Sequence, residues 1–155
     1  RLVGSEMCIE TELGIHYVDI GGRGGTNFAV IENARRPHHD FSYLQDWGQT
    51  TVESLLEARG LPLTILATGG IRSPLDVIKA QRLGAHAVGI SGLVLHHLIQ
   101  TDYAATLAYF QEFLQQLRQL YALLGVTNWQ ALQTAPAVLS PELEYYRHVR
   151  HLPAI

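Results

Sequence analysis

The chain contains a single cysteine, Cys8, in 155 residues. That excludes an internal disulfide framework and points to a reducing compartment. It also lacks an excess of positive charge: 11 Lys and Arg stand against 14 Asp and Glu, a formal net charge of −3. An electrostatic grip on nucleic acid or on an anionic membrane is therefore not expected. No apolar run approaches the ~20 residues needed to span a bilayer, and no secretory leader is visible. A soluble, cytoplasmic protein is the expectation. Charged residues make up only 16% of the chain and hydrophobic ones 47%, enough apolar material for one domain with a real core.

Glycine at strand ends is what the chain has instead. Leu63-Thr64-Ile65-Leu66-Ala67 is a short apolar, β-branched run, the pattern of a strand buried on both faces. Thr68-Gly69-Gly70-Ile71-Arg72 follows, then Ser73 as N-cap, Pro74 as first helical residue and Asp76 three places after the cap. Free N–H groups at such a turn, backed by a helix dipole, suit an anion such as phosphate, and Arg72 adds a fixed positive charge. A second turn repeats the plan. Ala85–Ile90 reads as another buried strand, and Ser91-Gly92 opens the next helix. Two consecutive turns of this kind match the phosphate site after the last two strands of a (β/α) barrel.

A third strand, Ile15–Ile20, precedes the loop Gly21-Gly22-Arg23-Gly24-Gly25-Thr26-Asn27. Four glycines in five residues let main chain approach a ligand closely, and Thr26 and Asn27 bring a hydroxyl and an amide. Residues 29–49 read as polar and irregular. Within them the adjacent His38 and His39 point apart and have no spaced third ligand, so they read as solvated loop rather than metal site. Thr50-Thr51-Val52-Glu53 is a capping box opening a helix that ends at Gly60; the helix from Pro74 to Leu83 ends at Gly84. Tyr103, Leu107, Phe110, Leu114, Leu117, Tyr121 and Leu124 form the stripe of one long amphipathic helix, widened by Phe113 and Leu120. A shorter helix runs through Trp129 and Leu132, and residues 135–155 carry no readable chemistry.

Val18 to Phe28, followed by Ile31-Glu32-Asn33, resembles the type 2, FMN-dependent isopentenyl-diphosphate isomerases. Asp46-Trp47-Gly48, Thr68–Arg72 with Pro74-Leu75-Asp76, and Val88–Gly92 recur in that family in the same order. The resemblance implies an α/β fold, a TIM (β/α)8 barrel of which this chain holds the last three β/α units plus C-terminal helices. Residues 1–125 would belong to the barrel and 126–155 to a helical tail. It also implies FMN contacts at Thr26, Gly70, Ile71, Arg72, Ser91 and Gly92. Gly21 falls where the family often has a serine contacting the flavin. Arg1 falls at the place of a flavin-side lysine, and residues 5–14 are shorter than the helix the family has there.

By the same resemblance, reduced FMN serves as acid–base cofactor in interconverting isopentenyl and dimethylallyl diphosphate. Mg²⁺ holds the diphosphate and NADPH supplies reducing equivalents. The substrate-binding His and Gln and the Mg²⁺-binding Glu lie in earlier barrel strands, so no catalytic or metal-binding residue is expected in this chain. The full-length protein is expected to be a homo-oligomer, and this stretch alone to be inactive. Two alternatives are another FMN- and phosphate-binding barrel oxidoreductase, such as a 2-hydroxyacid oxidase, and a non-catalytic truncated fragment.

Overall fold

The computed structural model describes residues 14–155, so the expectations for Arg1 and the segment 5–13 lie outside the described residues. Three strands form one parallel sheet in the order β1 (Tyr17–Ile20), β2 (Thr64–Ala67), β3 (Ala87–Val88). The register sets Asp19 beside Leu66 and Leu66 beside Ala87. Helices alternate with these strands: α1 (Phe28–Arg35), α2 (Thr51–Ala58), α3 (Pro74–Arg82) and α4 (Gly92–Gln100). Then come α5 (Tyr103–Leu123), α6 (Trp129–Gln133) and α7 (Pro141–Val149). Among the described residues no helix is long and apolar enough to cross a membrane.

Strand side chains alternate between faces, and here the two faces differ. Val18, Ile20, Ile65, Ala67 and Val88 share the side that packs with Leu55 and Leu56 of α2 and Ala80 of α3. On the opposite side Tyr17 is 69% exposed, Asp19 and Ala87 are exposed and Leu66 is half-buried. Of the two covered faces expected for these strands, this stretch supplies one: helices cover it, and nothing among the described residues covers the other. β3 is also shorter than the Ala85–Ile90 run, although His86 and Gly89 still donate their N–H groups to Ile65 and Ala67 across the sheet.

Helix starts follow the sequence closely. Thr50 and Glu53 form a complete capping box on α2, and Ser73 and Asp76 form one on α3. Two helical regions depart from expectation. Residues 29–49 are less irregular than their sequence suggests, since Asn27 caps α1 through Val30 N–H and a 3₁₀ turn follows at Ser42–Leu44. α1 buries none of its residues, so no apolar stripe announces it. On α5 the covered face is centred on Phe113 and Thr106, whereas Tyr103, Leu107, Leu114 and Leu124 of the expected stripe are exposed. Tyr121 of the stripe is the member that reaches a neighbour with a polar bond, donating its hydroxyl to Gln81 at 2.7 Å.

The last residues return to the core. Leu139, Leu143, Tyr146, Leu152 and Ile155 pack against the cluster formed by α2 and the sheet. Tyr146 donates to Glu57 at 2.8 Å and accepts from the Gln49 amide at 2.9 Å, while Arg150 donates to Glu57 at 2.6 Å. Burial and the Glu57 carboxylate push the Tyr146 phenol up to about 12, so it holds its proton across the neutral range.

Candidate cofactor site

All three strands point their C-terminal ends at one open cleft of about 1330 Å³. Thr26, Gly70, Ile71, Arg72, Ser91 and Gly92 all line it, so the structure brings together every site residue expected from sequence. Phe28 and Trp47, both 72% exposed, stand among the lining residues.

Glycine is required where two of the turns meet. Gly69 has φ +83, and a Cβ on it would lie 2.2 Å from the Gly21 carbonyl oxygen. A Cβ on Gly25 would come within 2.9 Å of the Gly69 Cα. The Gly21–Asn27 loop and the Thr68–Arg72 turn are therefore in backbone contact, a packing no larger residue permits. Thr68 fills the space between the strand ends: its hydroxyl donates to Asp19 at 3.2 Å, and its methyl occupies the place a Gly89 side chain would take.

The glycine loop is tied down from outside. Arg23 donates its N–H to the Gln49 carbonyl at 2.8 Å and its guanidinium to Asp46, at 2.9 Å to the carboxylate and 2.7 Å to the carbonyl. Asn27 was expected to offer its amide to a ligand. Its Oδ1 instead accepts from Val30 N–H and its Nδ2 donates to Gln45, so it holds the chain rather than the cleft. Thr26 is exposed and has no hydrogen-bond partner among the described residues.

The N–H groups expected to be free at the Gly69-Gly70 turn are only partly so. Asp76 accepts from Arg72 N–H at 3.1 Å, from Ser73 N–H at 2.9 Å and from the Ser73 hydroxyl at 2.9 Å. Partial burial works against its charge, but these bonds and the Lys79 charge outweigh it and hold the carboxyl below its ordinary value of 3.8. Gly70 and Ile71 keep N–H groups with no acceptor among the described residues, and the exposed Arg72 guanidinium has no ion pair there.

α4 differs from every other α-helix among the described residues, because no side chain caps it. Asn27, Thr50, Ser73, Asp102, Asn128 and Ser140 cap the rest. The Gly92 and Leu93 N–H groups, which line the cleft, consequently lack acceptors. Unspent N–H donors beside an unpaired guanidinium fit the phosphate of a mononucleotide cofactor such as FMN. A cation is not so served: among the described residues no group of three His, Cys, Asp or Glu side chains could hold a metal ion.

Sequence reasoning missed Thr51. It was visible only as the residue after an N-cap, yet its buried hydroxyl lies 2.8 Å from both the Gly21 and the Gly69 carbonyl oxygens. No periodic or motif signal marks such a contact between segments 18 and 30 residues apart.

Comparison with known proteins gives the site a context. The model of the FMN-dependent dehydrogenase family matches residues 46–139. The chain is 79% identical over 144 residues to the isopentenyl-diphosphate delta-isomerase of Lacticaseibacillus paracasei, covering 93% of this chain and 42% of that protein. The corresponding protein of Latilactobacillus sakei is 50% identical over 157 residues, with 97% and 45% covered. The chain thus spans less than half the length of these relatives. Among solved structures, a mandelate oxidase variant with 2-hydroxy-phenylacetamide superposes with a TM-score of 0.65 at 21% identity, covering 90% of this chain and 38% of that one. That likeness speaks to the fold alone.

Proposed function

The chain belongs to the FMN-dependent dehydrogenase family, and from that membership we propose that its cleft is the phosphate end of an FMN site in an isopentenyl-diphosphate delta-isomerase. The observation that carries this reading is unspent hydrogen-bonding capacity. Gly70, Ile71, Gly92 and Leu93 offer N–H groups to one cleft, and the Arg72 guanidinium stands beside them without an ion pair among the described residues. A phosphate dianion supplies the acceptors these groups lack, and the dipole of α4 favours it. Thr26 and Ser91 add hydroxyls at the rim.

The three β/α units are, on this reading, the last three of a (β/α)8 barrel, with residues 126–155 as its helical tail. The uncovered sheet face carrying Tyr17, Asp19, Leu66 and Ala87 then turns toward the barrel interior. Bound in reduced form, FMN would supply the acid–base group at the allylic carbons that interconvert isopentenyl and dimethylallyl diphosphate. This chain's residues anchor and orient: the glycine turns admit the phosphate, Arg72 neutralises it, and the Arg23–Asp46 bond fixes the loop around it. The substrate-binding His and Gln and the Mg²⁺-binding Glu belong to earlier strands of the barrel, with NADPH as reductant. No step is assigned to a metal or a catalytic side chain in this chain. The full-length enzyme is read as a cytoplasmic homo-oligomer.

The test joins the full chain to the N-terminal half of its Lacticaseibacillus paracasei relative. The chimera should be yellow, release FMN on denaturation, and form dimethylallyl diphosphate when given NADPH and Mg²⁺. A well-folded but colourless chimera that takes up no FMN would sink the reading.

A further inference from the structure

We infer that Thr51 is a positioning residue for the cleft, turning two peptide groups so that the N–H groups of Gly22 and Gly70 point at a bound phosphate. The inference rests on the phosphate-binding reading above. Thr51 is the first residue of α2 and only 9% exposed. Its helix does not need its hydroxyl, since the capping box is complete with Thr50 and Glu53. That hydroxyl lies 2.8 Å from the Gly21 carbonyl oxygen, 2.8 Å from that of Gly69 and 3.3 Å from that of Thr68. It carries one proton, which the converging carbonyls share.

The consequence follows from the geometry of a trans peptide. The group is planar, and its C=O and the following N–H point in opposite directions. With the Gly21 and Gly69 carbonyls turned toward Thr51, the N–H groups of Gly22 and Gly70 are turned away from it. Thr51 lies behind the cleft and does not line it, whereas Gly22 and Gly70 both do. Neither N–H has an acceptor among the described residues. The backbone contact between Gly69 and Gly21 leaves these two peptides little freedom to rotate independently. One buried hydroxyl thus aims two donors from two separate turns at the same place. Valine in its position has nearly the same shape but leaves the carbonyls without a donor, so the peptides lose the bond that orients them.

The test uses the full chain joined to the N-terminal half of the Lacticaseibacillus paracasei relative, as wild type, Thr51→Val and Thr51→Ser. Flavin fluorescence quenching gives affinities for FMN and for riboflavin, which lacks the phosphate. Thr51→Val should weaken FMN binding about tenfold, the effect of one lost charge-assisted bond. Riboflavin binding should change by less than about twofold, and Thr51→Ser should restore FMN binding to within about threefold. An equal loss for both flavins, or no loss, overturns the inference. A second measurement follows the Gly22 and Gly70 amide resonances of ¹⁵N-glycine-labelled protein as inorganic phosphate is added. They should move in wild type and Thr51→Ser and stay still in Thr51→Val. Should Thr51→Val fail to fold, the wild-type response decides: amides that stay still overturn the inference. Amides that move in a protein that takes up no FMN uphold Thr51 and overturn the flavin reading instead.

Discussion

Helices α3 and α4 begin at matching places in consecutive β/α units, each after a strand end and each preceded by a serine, yet only one is closed. Ser73 has φ −142 and ψ 160, the extended geometry from which a side chain reaches the N3 amide. Ser91 has φ −118 and ψ −56, a helical ψ from which its hydroxyl makes no cap. The third residue after Ser73 is Asp76, which completes the box; the third after Ser91 is Val94, which cannot. The protein satisfies the start of α3 with its own carboxylate and leaves the first N–H groups of α4 without an acceptor among the described residues. A helix start closed by its own side chains and one left open therefore share one sequence plan, and the backbone angle of a serine separates them.

The sharpest way to break the comparison is through the glycines. Gly69→Ala places a Cβ 2.2 Å from the Gly21 oxygen at φ +83 and should cost more than about 3 kcal/mol in urea unfolding. Gly92→Ala, with nothing within 4 Å of the new carbon, should change stability by less than about 0.5 kcal/mol. Equal costs would mean the two turns are not differently constrained.

Asp76→Ala should cost about 1–2 kcal/mol at neutral pH by opening the α3 box. Because the folded-state carboxyl sits below its ordinary value of 3.8, its stabilisation is present above that pH and is lost as pH falls further. Unfolding curves measured from neutral pH down to about pH 2 should converge for wild type and Asp76→Ala. A constant gap between them would assign the cost to something other than this carboxylate.

Ser91→Asp supplies α4 with the negative charge it lacks. The ligand-free protein should gain about 0.5 kcal/mol from the helix dipole while FMN binding in the chimera falls, since a carboxylate then competes with the phosphate. A gain in both would argue against an anion at this helix start. His38→Ala, remote from both starts, should shift stability by less than about 0.3 kcal/mol and leave FMN binding unchanged. A loss there comparable to that of Ser91→Asp would move the site toward the 29–49 segment.

Most of this arrangement is legible in the sequence because it is local. The boxes at Thr50–Glu53 and Ser73–Asp76 each lie within four residues, and each β/α alternation within one unit. The cleft itself followed from the glycines at three strand ends. Long-range bonds were not legible: the Thr51 hydroxyl, the grip of Tyr146 on Gln49 and Glu57, and the spending of Asn27 on Gln45. A single hydrogen bond leaves no period in the chain. The α5 face was misplaced for a related reason. Its apolar residues exceed what α3 and α4 can cover, so periodicity locates a stripe without saying which part of it has a neighbour.

The bond between Gln49 and Tyr146 joins residues 97 positions apart. On a ribosome adding roughly 5–20 residues per second, about 5–20 seconds pass between the two. The Gly21–Asn27 loop is made before that interval and Thr51 and the Thr68–Arg72 turn early within it, so for most of it Gln49, whose carbonyl holds Arg23, still lacks its partner phenol. A bond behind the rim of the cleft therefore waits on a residue made well after the glycine turns that the rim encloses.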